Sequence, residues 1–205
     1  MNYDQIKKQV RNSATQNGAS FLYVIFGSST INIADSVHLS PMIDSSIKHM
    51  AKPGCGIVNG GYLGTMSYTA RLVRENGGVA IGIMCGNLND NTEPQHFDEL
   101  VAAKDHWERL RALVEIADAF VVLPGGIGTA AELSTTIWCA DRSFSSRRPT
   151  LFIGDNWQDW LSATTTYSHA LRGSEINDYI TIAKTTEDVD IFFNSLITTT
   201  SAKAS

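Results

Sequence analysis

Short apolar runs rich in Val, Ile and Phe alternate along the 205-residue chain with longer segments of helical periodicity. This alternation is typical of a parallel sheet covered by helices on both faces. The predicted strands span residues 21–26, 56–58, 79–84, 119–123, 150–153 and, with a weaker pattern, 179–182. The predicted helices lie near residues 40–51, 63–75, 105–116, 129–142, 157–169 and 187–196. We therefore predict an α/β fold: a Rossmann-like, doubly wound parallel sheet in a three-layer αβα arrangement.

The domain organisation follows from length and composition. A length of 205 residues favours one compact unit, since domains average roughly 100–200 residues. No repeat or Pro- or Ser-rich linker divides the chain, so residues 1–197 are predicted to form a single Rossmann-like domain. Residues 198–205 lack apolar periodicity and are predicted to form a disordered tail. The polar stretch 85–104 is predicted to be a long loop, either a lid or binding loop or a solvated connection without a role.

Charge and composition exclude several classes of partner. A net charge of −5 disfavours nucleic acid, which requires a clustered basic face. No apolar run approaches the roughly 20 residues that cross a bilayer, so no membrane partner is expected. The three scattered cysteines and the polar first residues are typical of a cytoplasmic protein. No pattern of metal-ligand spacing is present, so no metal is predicted.

Glycine-rich turns follow three of the predicted strands. Gly27-Ser28-Ser29 follows the first strand, residues 59–66 (NGGYLGTM) follow the second, and residues 124–129 (PGGIGT) follow the fourth. Ligands of open parallel sheets bind outside the carboxyl ends of the strands. Three such turns on one sheet edge therefore favour a ligand site there.

The PGGIGT turn has the features of a phosphate site. Glycine lets backbone N–H groups approach phosphate oxygens, and the following helix directs its free N–H groups at the anion. The turn lacks the Lys of a Walker A loop and the spacing of the dinucleotide fingerprint, which disfavours ATP hydrolysis and a dehydrogenase. The predicted substrate-binding residues are Gly125, Gly126, Gly128 and Thr129, with Gly27, Ser28, Gly60 and Gly61 closing the other side.

Two charged residues flank this turn. Glu132 is either a capping-box residue of the helix that the turn opens or a carboxylate that faces the cleft. Arg109, on the preceding predicted helix, is either a solvated surface charge or part of the site. These residues alone support nucleotide binding and no particular reaction.

The run from Trp107 to Glu132 resembles the signature of the LONELY GUY family of cytokinin-activating phosphoribohydrolases, often mislabelled lysine decarboxylases. That signature is an Arg-bearing helix, a strand, and PGGxGTxxE; the turns at 27–29 and 59–66 also resemble family turns. The chain departs from the family pattern at Asn59, Ser67, Trp107 and Ala131. The resemblance therefore extends to the phosphate and ribose ends of a substrate and leaves the base open.

The resemblance implies hydrolysis of the N-glycosidic bond of a nucleoside 5′-monophosphate, such as a cytokinin-type adenine nucleotide, AMP or CMP. Glu132 would be the catalytic carboxylate, and Arg109 would orient it or contact the substrate, although the two could also form a plain ion pair. The base would lie toward residues 87–104 or a neighbouring subunit. No cofactor is implied, and a homodimer or higher homo-oligomer is expected. The alternative is a non-catalytic nucleotide-binding or sensing protein of the same fold.

Overall fold

The computed structural model describes residues 2–30, 38–86, 93–154, 156–166 and 178–203. Within these ranges the strands are β1 Ala19–Phe26, β2 Gly54–Asn59, β3 Val79–Cys85, β4 Glu99–Ala103, β5 Ala119–Val122, β6 Thr150–Ile153 and β7 Ile180–Ala183. The helices are α1 Tyr3–Gln16, α2 Ser40–Met50, α3 Thr65–Glu75, α4 His106–Ile116, α5 Ile127–Asp141, α6 Asn156–Thr166 and α7 Thr186–Lys203. A 3-10 turn, Pro94–His96, precedes β4.

All seven strands lie parallel in one sheet of order β4-β3-β2-β1-β5-β6-β7. The chain starts in the middle with β1, builds one half outward to β4, and then crosses to the other side of β1 to add β5. The strand order therefore reverses between β1 and β5, which is where ligands bind in doubly wound folds. The predicted α/β, doubly wound fold is confirmed.

Helices cover both faces of the sheet and bury a core on each side. One core packs α1, α4, α5 and α6 on the sheet, with Val10 and Leu113 fully buried. The other packs α2, α3 and α7, with Ile47, Val73 and Phe193 buried. Strands buried on both faces read as nearly continuous apolar runs, which explains why most of them were visible in the sequence.

Three elements differ from the sequence-based expectation. Residues 3–16 form a helix that the strand-and-helix pattern did not include, started by a capping box between Asn2 and Gln5. Strand β4 occupies part of the segment 85–104 that was predicted to be a loop. Helix α7 continues to Lys203 and so includes residues 198–203, which the sequence analysis placed in a tail. Residues 87–92 of the predicted loop lie outside the described residues.

The structure bears on membrane spanning and metal binding only through its described residues. None of its helices is both long and apolar enough to cross a bilayer. In the same ranges, no three His, Cys, Asp or Glu side chains cluster as metal ligands would.

Candidate active site

A cavity of about 300 Å³ opens at the carboxyl edge of the sheet, where the ends of β1 and β5 lie side by side. The turn that follows β1 and the first two turns of α5 both contribute to its wall. The lining residues are Gly27, Ser28, Ser29, Tyr62, Met66, His106, Arg109, Gly126, Ile127, Gly128, Thr129 and Glu132. The cavity therefore lies at the point where the strand order reverses.

The start of α5 forms the wall suited to an anion. Gly126 is the N-cap residue, and helical hydrogen bonding begins with Ala130 N–H donating to the Gly126 carbonyl at 3.0 Å. The N–H groups of the first helical turn have no partner within a helix and carry its positive dipole end. A Cβ on Gly126 or Gly128 would meet no atom within 4 Å, so the backbone there is open to a ligand. These features favour phosphate binding.

The turn after β1 is held in place by the start of α3. The Ser28 carbonyl accepts hydrogen bonds from the Thr65 backbone N–H at 2.9 Å and from the Thr65 hydroxyl at 3.0 Å. A Cβ on Gly27 would lie 2.2 Å from Thr65 Oγ1, so only glycine permits this approach. Gly27 and Ser28 thereby form a fixed wall of the cavity.

Three of the predicted substrate-binding glycines do not line the cavity. A Cβ on Gly125 would lie 2.1 Å from Thr129 Oγ1, and a Cβ on Gly60 would lie 2.1 Å from Arg109 Nη2. Gly61, with φ +73°, packs against Leu100 and the backbone of β3. These glycines make room for other residues of the site, and their contact with substrate stays a prediction.

Arg109 and Glu132 meet across the cavity wall. Arg109 Nη1 donates to Glu132 Oε1 at 3.1 Å, and the two side chains are only 5% and 12% exposed. Arg109 Nε donates to the Ile83 carbonyl at the end of β3, 2.9 Å away. Burial raises the pKa of Glu132, and the nearby Arg109 guanidinium opposes that rise without cancelling it. The pair thus presents a buried carboxylate with a raised pKa to the cavity.

The geometry decides between the interpretations that the sequence left open. Glu132 lies in the second turn of α5 and bonds to Arg109, and α5 has no side-chain cap, so Glu132 is not a capping-box residue. Arg109 is buried, so it is not a solvated surface charge. Arg109 and Glu132 therefore form a buried ion pair that lines the cavity.

Sequence reasoning missed several cavity residues. Tyr62 and Met66 stood inside a turn that was recognised for its glycines, and Ile127 inside the PGGIGT motif. His106 lines the cavity although its residue is exposed, while the adjacent Asp105 caps α4 by accepting from the N–H groups of Trp107 and Glu108. The signal for Tyr62 and Met66 was their position after β2, at the same sheet edge as PGGIGT.

Known proteins share both the sequence pattern and the fold. A family model described as "Possible lysine decarboxylase" matches residues 66–190, more than half of the chain. A cytokinin riboside 5′-monophosphate phosphoribohydrolase of Mycobacterium marinum is 36% identical over 75 residues, covering 36% of this chain and 40% of the relative. A protein of the same description from Arabidopsis thaliana is 30% identical over 106 residues, covering 51% and 46%. The matched regions thus span less than half the length of these relatives.

Among solved structures, the molybdenum cofactor binding protein from Rippkaea orientalis aligns with a TM-score of 0.63 at 17% identity. The alignment covers 87% of this chain and 98% of that one. At this identity the likeness concerns the fold alone.

Proposed function

The chain belongs to the LONELY GUY family, and from that membership we propose that it hydrolyses the N-glycosidic bond of a nucleoside 5′-monophosphate. The products are a free base and ribose 5-phosphate, and the candidate substrates are a cytokinin-type adenine nucleotide, AMP and CMP. The observation that carries the proposal is the buried Glu132 carboxylate, which lines the same cavity as the start of its own helix α5, a helix start suited to phosphate.

In the proposed complex the 5′-phosphate lies against the start of α5. The N–H groups of Ile127, Gly128 and Thr129 surround the anion, and Gly27 and Ser28 bound the opposite side. Backbone N–H groups and the helix dipole supply positive potential without lysine or arginine contacts to the phosphate. This placement orients the sugar toward Glu132.

The proposed reaction breaks the bond between C1′ and the base nitrogen and forms a bond from C1′ to a water oxygen. The base leaves with the bonding electron pair, so positive charge develops on the sugar, and the Glu132 carboxylate stabilises that charge. Glu132 then accepts a proton from the attacking water. Its raised pKa suits a proton acceptor, and Arg109 fixes the orientation of the carboxylate.

The departing base needs a proton, and we assign its delivery to His106. This imidazole lines the same cavity as Glu132, at the first position of α4. His106→Gln is expected to slow release of a natural base while sparing a substrate with a nitrophenol leaving group, which departs without a proton. Equal loss with both substrates would remove His106 from this role.

We also propose that two copies associate through the exposed face of α4 and α5. Trp107, Trp138 and Phe144 are 77%, 55% and 68% exposed and border one groove of about 350 Å³. Apolar surface of this kind is typical of an interface. Analytical ultracentrifugation should give a dimer for the wild type and a monomer for Trp138→Glu; a monomeric wild type would contradict the proposal. A cytoplasmic location also stays a proposal.

The proposed activity is tested with a panel of nucleoside 5′-monophosphates and the matching nucleosides. Free base is measured by chromatography, and nucleotide binding is measured by calorimetry on the same samples. We expect at least one monophosphate to be cleaved and its nucleoside, which lacks the phosphate, to be spared. Tight binding of a monophosphate without cleavage would instead support the nucleotide-binding or sensing alternative.

A further inference from the structure

Tyr62 packs against Arg109, and neither phosphate binding by the glycine turns nor the proposed role of the Glu132 carboxylate accounts for this contact. It stands in the connection between β2 and α3, and its ring centroid is 5.3 Å from Arg109 Cζ. The aromatic face thus packs on the guanidinium, an arrangement that is favourable when the cation is buried. Tyr62 also lines the cavity, so it acts where the reaction is proposed to occur.

The hydroxyl of Tyr62 is fully engaged by the backbone of β3. It donates to the Cys85 carbonyl at 2.7 Å and accepts from the Cys85 N–H at 2.9 Å. A phenol has one proton to donate, and here that proton is committed to a carbonyl. The hydroxyl is therefore an anchor and not a proton donor to substrate.

The connection that carries Tyr62 is itself braced from the core. Asn59, fully buried, accepts from the Gly61 N–H at 2.9 Å and donates to the Met66 carbonyl at 3.0 Å. The Asn59 side chain thereby links the two ends of the connection and fixes the position of the backbone that carries Tyr62. The chain departs from the family pattern at this position, so the brace is a feature of this chain.

Three contacts together hold the guanidinium of Arg109 in place. Its Nε is bonded to the Ile83 carbonyl, its Nη2 fills the space beside Gly60, and its face is covered by the Tyr62 ring. A guanidinium is planar, so fixing one edge and one face fixes the direction of the remaining N–H groups. Nη1 is then directed at Glu132 Oε1.

We propose that Tyr62 is a positioning residue, which holds the Arg109 guanidinium in the plane that orients the Glu132 carboxylate toward the substrate. This inference rests on the proposed function for its catalytic meaning. The positioning itself rests on the contacts among Tyr62, Arg109 and Cys85.

The test compares Tyr62→Leu, which removes the ring, with Tyr62→Phe, which removes only the anchor to Cys85. Tyr68→Leu is the matched control, because Tyr68 also packs on an arginine, with Arg71 Cζ 5.6 Å from its ring, but does not line the cavity. We expect Tyr62→Leu to lower kcat about tenfold with little change in KM, because the phosphate wall is intact. Tyr62→Phe should lose less, and Tyr68→Leu should match the wild type.

Two further readouts separate positioning from a general loss of structure. Arg109 lowers the pKa of Glu132 against the effect of burial, so a loosened Arg109 should move the acidic limb of the kcat profile to higher pH in Tyr62→Leu. The Nε–H resonance of Arg109, followed by NMR in ¹⁵N-labelled protein, should exchange with water faster in both Tyr62 variants than in Tyr68→Leu. Circular dichroism checks folding, and Tyr62→Phe carries the comparison where Tyr62→Leu does not fold.

An unchanged kcat, acidic limb and Arg109 exchange rate in the Tyr62 variants would overturn the proposal while leaving the proposed function standing. A wild type that cleaves no nucleotide would instead overturn the proposed function. The Arg109 exchange rate then decides the positioning on its own.

Discussion

Arg109 and Arg111 lie two residues apart on α4, and each forms an ion pair with a glutamate. The two pairs have the same charged groups but differ in location and exposure. Arg111 and Glu115 lie on the same helix, with an N–O distance of 2.8 Å and side chains 61% and 31% exposed. Arg109 and Glu132 join α4 to α5 at the longer distance of 3.1 Å, with side chains 5% and 12% exposed. The exposed pair has the shorter N–O distance, so this distance does not distinguish the pair that lines the cavity from the pair that lies outside it.

The pKa values of the two carboxyl groups move in opposite directions. Burial raises the pKa of Glu115, but hydrogen bonds from Tyr3 and Arg111 outweigh it, and the net pKa is lowered. Burial raises the pKa of Glu132 more than Arg109 lowers it, and the net pKa is raised. Burial is the largest single influence on both carboxyl groups, and the pKa shifts differ in sign because Tyr3 and Arg111 together outweigh it at Glu115 whereas Arg109 alone does not outweigh it at Glu132.

The largest expected effect is on catalysis, from removing the charge of each glutamate. Glu132→Gln should lower kcat by about 10²–10⁴-fold, because the amide neither accepts the water proton nor stabilises the sugar cation. Glu115→Gln should leave kcat unchanged, since Glu115 lies outside the cavity. Steady-state release of free base measures both variants. Equal rates of base release in Glu132→Gln and Glu115→Gln would show that the two glutamates do not differ in catalysis.

The next effect is on stability, from removing each arginine. Arg109→Ala leaves a buried carboxylate without its cation and should cost about 3–5 kcal/mol of unfolding free energy. Arg111→Ala breaks an exposed pair and should cost at most about 1 kcal/mol. Urea denaturation followed by circular dichroism gives both values. A large loss of unfolding free energy in Arg111→Ala together with a small loss in Arg109→Ala would contradict the expectation that the buried pair contributes more to stability than the exposed pair.

The smallest effect is a shift in pH dependence. The proposed reaction needs Glu132 deprotonated, so activity should fall as pH decreases through its raised pKa, with a midpoint above the ordinary value of 4.5. Arg109→Lys should move that midpoint higher, because an ammonium cannot bond the Ile83 carbonyl and Glu132 in the same planar geometry. Arg111→Ala should leave it in place. A wild-type midpoint at or below 4.5 would show that burial does not control this carboxyl group.

The sequence predicted those parts of the fold and site that depend on local pattern. The buried strands were visible as apolar runs, and PGGIGT was visible because glycines and a following helix are neighbours in the chain. The strand order placed this turn beside Gly27, as ligand sites of doubly wound sheets require. Glu132 and Arg109 could be proposed, but their contact depends on the packing of α4 against α5.

Features that depend on distant partners were not predictable. Strand β4 has only five residues, two of them alanines at its end, and it forms because β3 offers a parallel partner from Ile81 to Cys85. The adjacent Asp98 secures it by accepting the Ala80 N–H at 2.9 Å. Tyr62 gains its role from Cys85 and Arg109, 23 and 47 positions away. No local periodicity encodes such contacts.

The most direct test of the central claim is chemical rescue of Glu132→Ala, measured as the rate of base release from the cleaved monophosphate with and without sodium formate. The variant removes the carboxylate from the cavity wall, and formate is small enough to occupy the space it leaves. We expect a very slow reaction that accelerates with formate concentration and then saturates. Release at the wild-type rate without formate would contradict the claim that Glu132 performs the reaction.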